Sequence, residues 1–132
     1  MVQFAETDLA GVLHFANYYR MMEEVEHAFW RSRGSSVITC SNDATISWPR
    51  VVTSCEYIAP VHFEDVLELR LTVARLGERS VAYDIEFARD GNRVALGKTK
   101  AVCCTMERGA FRSIPIPRNL RRALEELVQP TG

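Results

Sequence analysis

The spacing of apolar residues changes part-way along the chain, and this change limits the fold more than any other feature. Between Phe15 and Arg33 the spacing is helical, and Gly34 follows at the position of a helix C-cap. Farther on, apolar and polar residues alternate in four runs, which are Trp48–Ile58, Val66–Leu76, Val81–Ala88 and Val94–Thr105. The pattern predicts one long helix followed by a set of strands.

The helix has a wide apolar face, so it should be buried on most of its sides. This face is formed by Tyr18, Met22, Val25 and Phe29. The connections Gly77–Ser80 and Asp90–Asn92 are too short for crossovers, so the strands that they join should be antiparallel. A sheet curved around the helix would bury both apolar surfaces. We therefore predict an α+β fold in a single domain over residues 1–132, a length typical of one domain.

The remaining elements are shorter and are predicted from turn formers and local periodicity. A short strand is expected around Val2–Glu6, followed by a tight turn at Thr7–Gly11. Residues 35–47 are rich in turn formers and are expected to form a loop. Ser113–Pro117 is expected to add a short edge segment, and Pro117 to open a final amphipathic helix.

The charge balance argues against several classes of protein. The net charge is −1, with 25% charged and 47% hydrophobic residues, so nothing indicates a nucleic-acid or membrane partner. The first ten residues include Glu6 and Asp8 and no apolar segment, so we expect no signal peptide and a cytoplasmic location. The four cysteines are then expected to be reduced core or sheet residues. No histidine stands near them at ligand spacing, so no metal site is expected.

Asp8 stands in an unusual place for an acidic residue. It lies in the tight turn before the long helix, near the backbone amides that a helix N-terminus leaves without partners. An aspartate before a helix is ordinarily an N-cap, but Asp8 is several residues too early to cap a helix that begins near Phe15. The turn therefore indicates a carboxylate that is available for chemistry beside a group of N–H donors.

The order of residues in this segment is similar to that of a known family. An acidic residue, two further residues, a glycine and an aromatic-rich helix start are found here as Asp8, Gly11, Phe15, Tyr18 and Glu23. This pattern resembles the 4-hydroxybenzoyl-CoA thioesterase family of hotdog proteins, in the branch that includes acyl-CoA thioesterases of the tol-pal cluster. Later segments resemble the family too, namely Phe63–Leu67, the Gly77–Ser80 turn and Val81–Tyr83. The resemblance implies a hotdog fold, in which an antiparallel sheet of five to six strands wraps around one long central helix.

The resemblance also implies a reaction, the hydrolysis of an acyl-CoA thioester to a free acid and coenzyme A. Asp8 would attack the thioester carbonyl or activate water to do so, and the backbone N–H of Phe15 would polarise the carbonyl oxygen. Coenzyme A is part of the substrate, so no separate cofactor is implied.

His14 departs from the pattern of the tol-pal relatives, in which a histidine commonly stands where this chain has Phe15. One residue turns a helical side chain by about 100°, so His14 does not simply take over that role. We expect His14 to be a polar residue at the helix start, with direct proton transfer as the alternative. Phe15 would then act through its main chain.

The matching positions also imply a set of substrate-binding residues, which are Gly11, Val12, His14, Tyr18, Glu23, Trp48, Arg79 and Ser80. Arg79 is the first choice for contacting the phosphates of coenzyme A. The further candidates for this contact are Arg75, Arg108 and Arg112.

Two glutamates of the long helix have separate expectations. Glu23 has two interpretations of equal weight: an acidic residue near the acyl pocket beside Trp48, or an i,i+4 partner of His27 on a solvated face. Glu26 lies within the apolar arc. We expect it to be buried with a hydrogen-bond partner, because an unpaired buried carboxylate is costly.

The family's site lies between subunits, so the resemblance implies a homodimer or a tetramer, which would also cover exposed sheet edges. The main alternative function is a hotdog domain that binds an acyl-CoA or an acyl carrier protein without hydrolysing it. A hydratase is a weaker choice, because the sequence shows no Asp/His pair at a hydratase-type spacing. The aromatic lining expected around Phe15, Tyr18 and Trp48 favours an aromatic or medium-length apolar acyl group.

Overall fold

The long helix is present and begins where the sequence predicts it. The computed structural model describes residues 1–35, 38–41, 44–107 and 109–128. In it, α1 spans Phe15–Ser32, with His14 as the N-cap. The helix ends at Arg33, and Gly34 follows with φ +70°, a conformation that glycine adopts without strain. Its buried face includes Tyr18, Met22, Glu26, Phe29 and Trp30.

The strands form two antiparallel four-stranded sheets. The first sheet has the order β3-β6-β5-β4, with β3 Arg50–Tyr57, β4 Glu68–Leu76, β5 Ser80–Arg89 and β6 Asn92–Val102. The second has the order β1-β2-β7-β8, with β1 Ile38–Ser41, β2 Ala44–Ser47, β7 Cys104–Glu107 and β8 Ala110–Ser113. The helix α2, Arg118–Glu125, follows β8.

The expected single sheet of five to six strands is therefore wrong in detail. Ser47 pairs with Cys104, and Arg50 pairs with Ala101 in the same register, so the two sheets continue one another across a break. The break falls at Trp48 and Pro49 on one side, and proline has no N–H to donate to a ladder. The predicted strand Val94–Thr105 is divided here into β6 and β7, and the predicted strand Trp48–Ile58 begins only after the break, as β3.

Three shorter predictions also differ from the structure. Phe4–Glu6 forms a 3-10 turn rather than a strand, because the Glu6 carboxylate accepts the Gln3 N–H at 2.8 Å and closes the turn locally. The predicted loop over 35–47 contains β1 and β2, since their partners supply ladder bonds that the local sequence does not reveal. The predicted edge segment at Ser113–Pro117 lies earlier, as β8.

The helix packs closely on the sheet, and β5 shows why. Its alternating residues Val81, Tyr83, Ile85 and Phe87 are all buried, as their period of two predicts. On β6, a Cβ added to Gly97 would lie 2.6 Å from the Met22 sulfur. A glycine at this point lets α1 approach the strand, so the helix lies against the sheet as predicted.

Two further expectations can be compared with the part of the chain that is described. Cys55 is half-buried, while Cys103 and Cys104 are buried, and all three are free thiols, as predicted. The Cys40 side chain lies outside the described residues. No helix in the described ranges is both long enough and apolar enough to cross a membrane.

Candidate active site

Asp8 sits in a tight loop whose two ends are joined by backbone hydrogen bonds. Thr7 and Leu13 form an antiparallel bridge, and the Asp8 N–H donates to the Val12 carbonyl at 2.9 Å. Gly11 closes the turn with φ +80°, and its N–H donates to the Asp8 carbonyl at 3.0 Å. One carboxylate oxygen of Asp8 accepts the Ala10 N–H at 2.9 Å. The loop therefore holds the exposed Asp8 carboxylate in a fixed orientation.

The start of α1 is anchored beside this loop. The Glu6 carbonyl accepts both the His14 N–H at 2.9 Å and the Asn17 side-chain amide at 2.8 Å. The Leu13 N–H donates to the Val61 carbonyl at 2.6 Å. Within the described ranges, the Phe15 N–H has no acceptor. A free N–H at the first turn of an anchored helix is a preorganised donor for a developing negative charge.

Asp8 and Phe15 line the same open cavity, of about 370 Å³, which we name the Asp8 pocket. Its lining is Asp8, Val12, Leu13, Phe15, Tyr18, Tyr57, Ile58, Ala59, Pro60 and Val61. The Tyr18 ring packs edge-on against Tyr57, with 4.8 Å between centroids. The predicted residues Asp8, Val12, Phe15 and Tyr18 are thus brought together. The segment 57–61 was missed, although alternation placed Tyr57 near the end of a strand.

Other groups near the Asp8 pocket are less suited to nucleophilic chemistry. Burial raises the pKa of the Cys55 thiol to about 11, so this thiol is protonated at neutral pH. Burial also raises the pKa of the Tyr18 phenol. His14 is not among the lining residues: its Nδ1 accepts the Ala16 N–H at 3.3 Å, and its ring lies 4.6 Å from that of Phe15. The geometry places His14 at the helix cap, and Asp8 as the lining carboxylate.

Glu23 and Trp48 lie in a different cavity, of about 340 Å³, which we name the Glu23 pocket. Its lining is Glu23, His27, Ser47, Trp48, Pro49, Arg50 and Phe111. The Glu23 Oε1 lies 3.8 Å from the His27 Nε2. Glu23 therefore both pairs with His27 and lines a pocket beside Trp48, which are the two interpretations that the sequence left open. Trp48 is only 3% exposed and stacks on Trp30, which makes it chiefly a core residue.

Glu26 is buried with a partner, as predicted, and the partner is Arg50. The Arg50 Nη2 donates to Glu26 Oε2 at 2.6 Å, and Glu26 is 2% exposed. Burial raises the pKa of the Glu26 carboxyl, while the charge and hydrogen bond of Arg50 act in the opposite direction. Arg50 was missed from the sequence, because nothing local connects it to a glutamate 24 residues earlier.

The two pockets lie at opposite ends of β3 in one protomer. Arg50 and Tyr57 are seven residues apart on this strand, which corresponds to about 23 Å. The aromatic residues expected around the acyl group are therefore divided in one chain, since Phe15 and Tyr18 line the pocket at one end of β3 and Trp48 lines the pocket at the other.

Arg79 and Ser80 belong to the Arg50 end of the sheet. Ser80 pairs with Val102, whose N–H donates to the Pro49 carbonyl. Arg79 is exposed and donates to the Ser113 carbonyl at 2.9 Å. Arg75 and Arg112 are exposed, and Arg108 lies outside the described residues.

A third and larger cavity, of about 500 Å³, lies between α1 and the edge of β4. Its carboxylates are already engaged, because Glu24 pairs with Arg20 at 3.4 Å and Glu6 accepts the Gln3 N–H. Size alone does not make it the reactive site. In the part of the chain that is described, no group of three His, Cys, Asp or Glu side chains could hold a metal ion.

Comparison with known proteins assigns the family. The family model of the thioesterase superfamily matches residues 10–96, so the match begins at Ala10, just after Asp8 and Leu9. The chain belongs to the thioesterase superfamily. A protein from Aquifex aeolicus (strain VF5) that carries an esterase name is 32% identical over 115 residues, covering 86% of this chain and 87% of its own.

Two further relatives of this thioesterase carry more specific names. The 1,4-dihydroxy-2-naphthoyl-CoA hydrolase of Synechocystis sp. (strain PCC 6803) is 26% identical over 131 residues and covers 98% of this chain and 94% of its own. The solved structure of the gentisyl-coenzyme A thioesterase BH1999 is 30% identical, with a TM-score of 0.79 and coverage of 93% and 94%. The chain is a thioester hydrolase with a hotdog fold. The comparisons show the superfamily rather than the narrower 4-hydroxybenzoyl-CoA or tol-pal branch.

Proposed function

We propose that the chain hydrolyses an acyl-CoA thioester to the free acid and coenzyme A, with Asp8 as nucleophile or general base. The observation that carries this proposal is the shared pocket of the Asp8 carboxylate and the free Phe15 N–H. Anchoring bonds hold both groups on the loop and the helix start, so little reorganisation is needed when substrate binds.

The chemistry needs few groups, because a thioester is already an activated acyl derivative. Asp8 either forms an anhydride with the acyl carbon, which water then cleaves, or removes a proton from the water that attacks. The Phe15 N–H donates to the thioester oxygen as negative charge develops there. Loss of one such donor typically costs about a hundred- to a thousandfold in rate. The carbonyl re-forms, the C–S bond breaks, and the thiolate of coenzyme A leaves.

A second copy of the chain would complete the site. The outer edge of β3 has no partner strand among the described residues, and Val51 and Val52 are exposed on it. An unpaired edge with exposed valines favours pairing with another chain. In a two-fold antiparallel pair centred on the middle of β3, Arg50 of one copy would lie opposite Tyr57 of the other, about 5 Å away across the ladder. The Asp8 pocket of one subunit would then adjoin the Glu23 pocket of its partner.

The acyl group is proposed to be aromatic. Phe15, Tyr18 and Tyr57 supply ring faces in the Asp8 pocket, and Phe15 is 61% exposed. Two of the relatives are named for 1,4-dihydroxy-2-naphthoyl-CoA and gentisyl-CoA. These substrate names support a hydroxylated aryl-CoA without selecting one. The three cysteines whose side chains are described are free thiols, which fits a reducing compartment such as the cytoplasm.

The substitution Asp8→Asn tests the proposal, with Asp90→Asn as its control. Asp90 is also exposed, has φ +53° in the β5–β6 turn, and tolerates asparagine because that residue adopts this conformation readily. We expect Asp8→Asn to lower kcat on aryl-CoA substrates by at least about a hundredfold with little change in ligand affinity. Asp90→Asn should match the wild type. Tight acyl-CoA binding without turnover by the wild type, across aryl and alkyl substrates, would instead support a binding domain.

A further inference from the structure

Arg50 is held at the wall of the Glu23 pocket by a buried counter-ion. Its Nη2 donates to Glu26 Oε2 at 2.6 Å, and its Nη1 lies at a long 3.5 Å from the Trp48 carbonyl. Glu26 contributes almost no surface to solvent, whereas the Arg50 side chain is about one-third exposed. A guanidinium has five N–H donors, so most of those on Arg50 are not committed to strong bonds.

A second polar residue lines the same pocket, and its side chain has no hydrogen-bond partner in the described part of the chain. Ser47 is 8% exposed, and its Oγ has no hydrogen-bond partner among the described residues. Buried hydroxyl groups are nearly always hydrogen-bonded in proteins, so an Oγ without a partner beside the pocket favours a polar neighbour there. Glu23 adds an acceptor to the same lining. His27, whose Nε2 lies 3.8 Å from Glu23 Oε1, is the remaining polar residue, and Trp48, Pro49 and Phe111 form the apolar part of the wall.

This combination fits a flat ring that carries an oxygen substituent. The apolar part of the wall suits the ring, and a hydroxyl group can donate to the Glu23 carboxylate while it accepts from Arg50. A bare hydrocarbon ring would leave these polar groups desolvated without partners, which is costly. Among rings of the same size, the pocket should therefore favour the hydroxylated one.

We infer that Arg50, fixed in position by Glu26, recognises an oxygen substituent on the acyl group and sets the acyl specificity of the enzyme. The inference rests on the proposed function, because the Glu23 pocket reaches the acyl group of a substrate at Asp8 only across the paired β3 strands. Arg50 contacts the substrate, and Glu26 is a positioning residue that acts through Arg50.

The test compares benzoyl-CoA with its three hydroxybenzoyl isomers. Wild type should prefer the best hydroxylated isomer by about tenfold to a hundredfold in kcat/KM, as expected for a charged donor to a hydroxyl. The double variant Arg50→Met with Glu26→Gln removes both charges of the buried pair, so it should fold. It should lose the preference, because kcat/KM for the hydroxylated isomer should fall at least about tenfold further than kcat/KM for benzoyl-CoA. Arg50→Lys should show an intermediate preference, because lysine keeps the charge without the planar fork.

The control is Arg20→Met, since Arg20 is an exposed arginine of α1 that pairs with Glu24 away from both pockets. It should keep the wild-type preference. Glu26→Gln alone should raise KM for the hydroxylated substrate and leave kcat and the benzoyl-CoA KM unchanged, a split that general loss of structure would not produce. A folded double variant that retains the preference, or a wild type that hydrolyses all four equally, would overturn the inference. Hydrolysis of none of them, nor of any other acyl-CoA, would refute the proposed function first.

Discussion

Arg50→Met removes the partner of a carboxylate that has almost no access to water, and its effect on stability should depend strongly on pH. Breaking a buried ion pair by deleting one partner typically costs about 3 to 5 kcal/mol, because the remaining charge is buried without compensation. Glu26 is 2% exposed, and its second oxygen has no hydrogen-bond partner in the described part of the chain. The loss in the free energy of unfolding caused by Arg50→Met should therefore fall in this range at pH 8.

The pH dependence follows from the direction of the pKa shift. Burial raises the pKa of Glu26 above its usual value of 4.5, and Arg50 opposes the rise, so losing Arg50 should raise the pKa further. A raised folded-state pKa favours the folded state below the unfolded-state value of about 4.5, and this benefit is lost as the pH rises through the folded-state pKa. The deficit of Arg50→Met should thus shrink on going from pH 8 to pH 5, by about 1.4 kcal/mol for each unit of further rise within that window.

Urea denaturation of four proteins at pH 5 and pH 8 measures this effect: wild type, Arg50→Met, Glu26→Gln and the double variant. The double variant should recover most of the stability that Arg50→Met loses, because no charge is left buried. The matched control is Arg93→Met, which breaks an exposed pair with Glu86 and should cost less than about 1 kcal/mol. An Arg50→Met deficit that is equal at both pH values and additive with Glu26→Gln would refute the reasoning.

Three other substitutions test the site and its assembly. His14→Ala should lower the free energy of unfolding by at most about 1 kcal/mol and change kcat by only a few-fold, since His14 caps α1. A hundredfold loss in kcat would instead indicate that His14 transfers a proton. Gly11→Ala should lower kcat/KM and reduce the free energy of unfolding by about 1 kcal/mol in chemical denaturation. The added Cβ meets no atom within 4 Å, so the effect comes from backbone strain at φ +80° in the loop that holds Asp8. Val52→Lys, at a position 60% exposed on β3, should give a monomer of low activity in light scattering and kinetics, whereas Val66→Lys, also exposed, should not.

Local regularities of the sequence were enough to predict the elements that form the frame. The helical spacing after Phe15 predicted α1, and the alternation along Val81–Ala88 predicted which face of β5 is buried. The place of Asp8, too early for an N-cap, indicated a carboxylate in a turn before the helix. These predictions succeeded because helix and strand periods, and turn preferences, are properties of neighbouring residues.

Contacts between segments that are distant in the sequence determined the features that the local patterns did not predict. The partner of Glu26 is 24 residues away, and only the tertiary arrangement of α1 and β3 brings Arg50 to it. The extended β3 also places the Asp8 pocket and the Glu23 pocket at its opposite ends, which no local pattern reveals. Strands such as β1 and β2 lie in a sequence that reads as loop, because their stability comes from ladder bonds to other strands. The sequence alone therefore determined the long helix, the longer strands and the place of an exposed carboxylate before the helix, while tertiary packing determined which side chains meet.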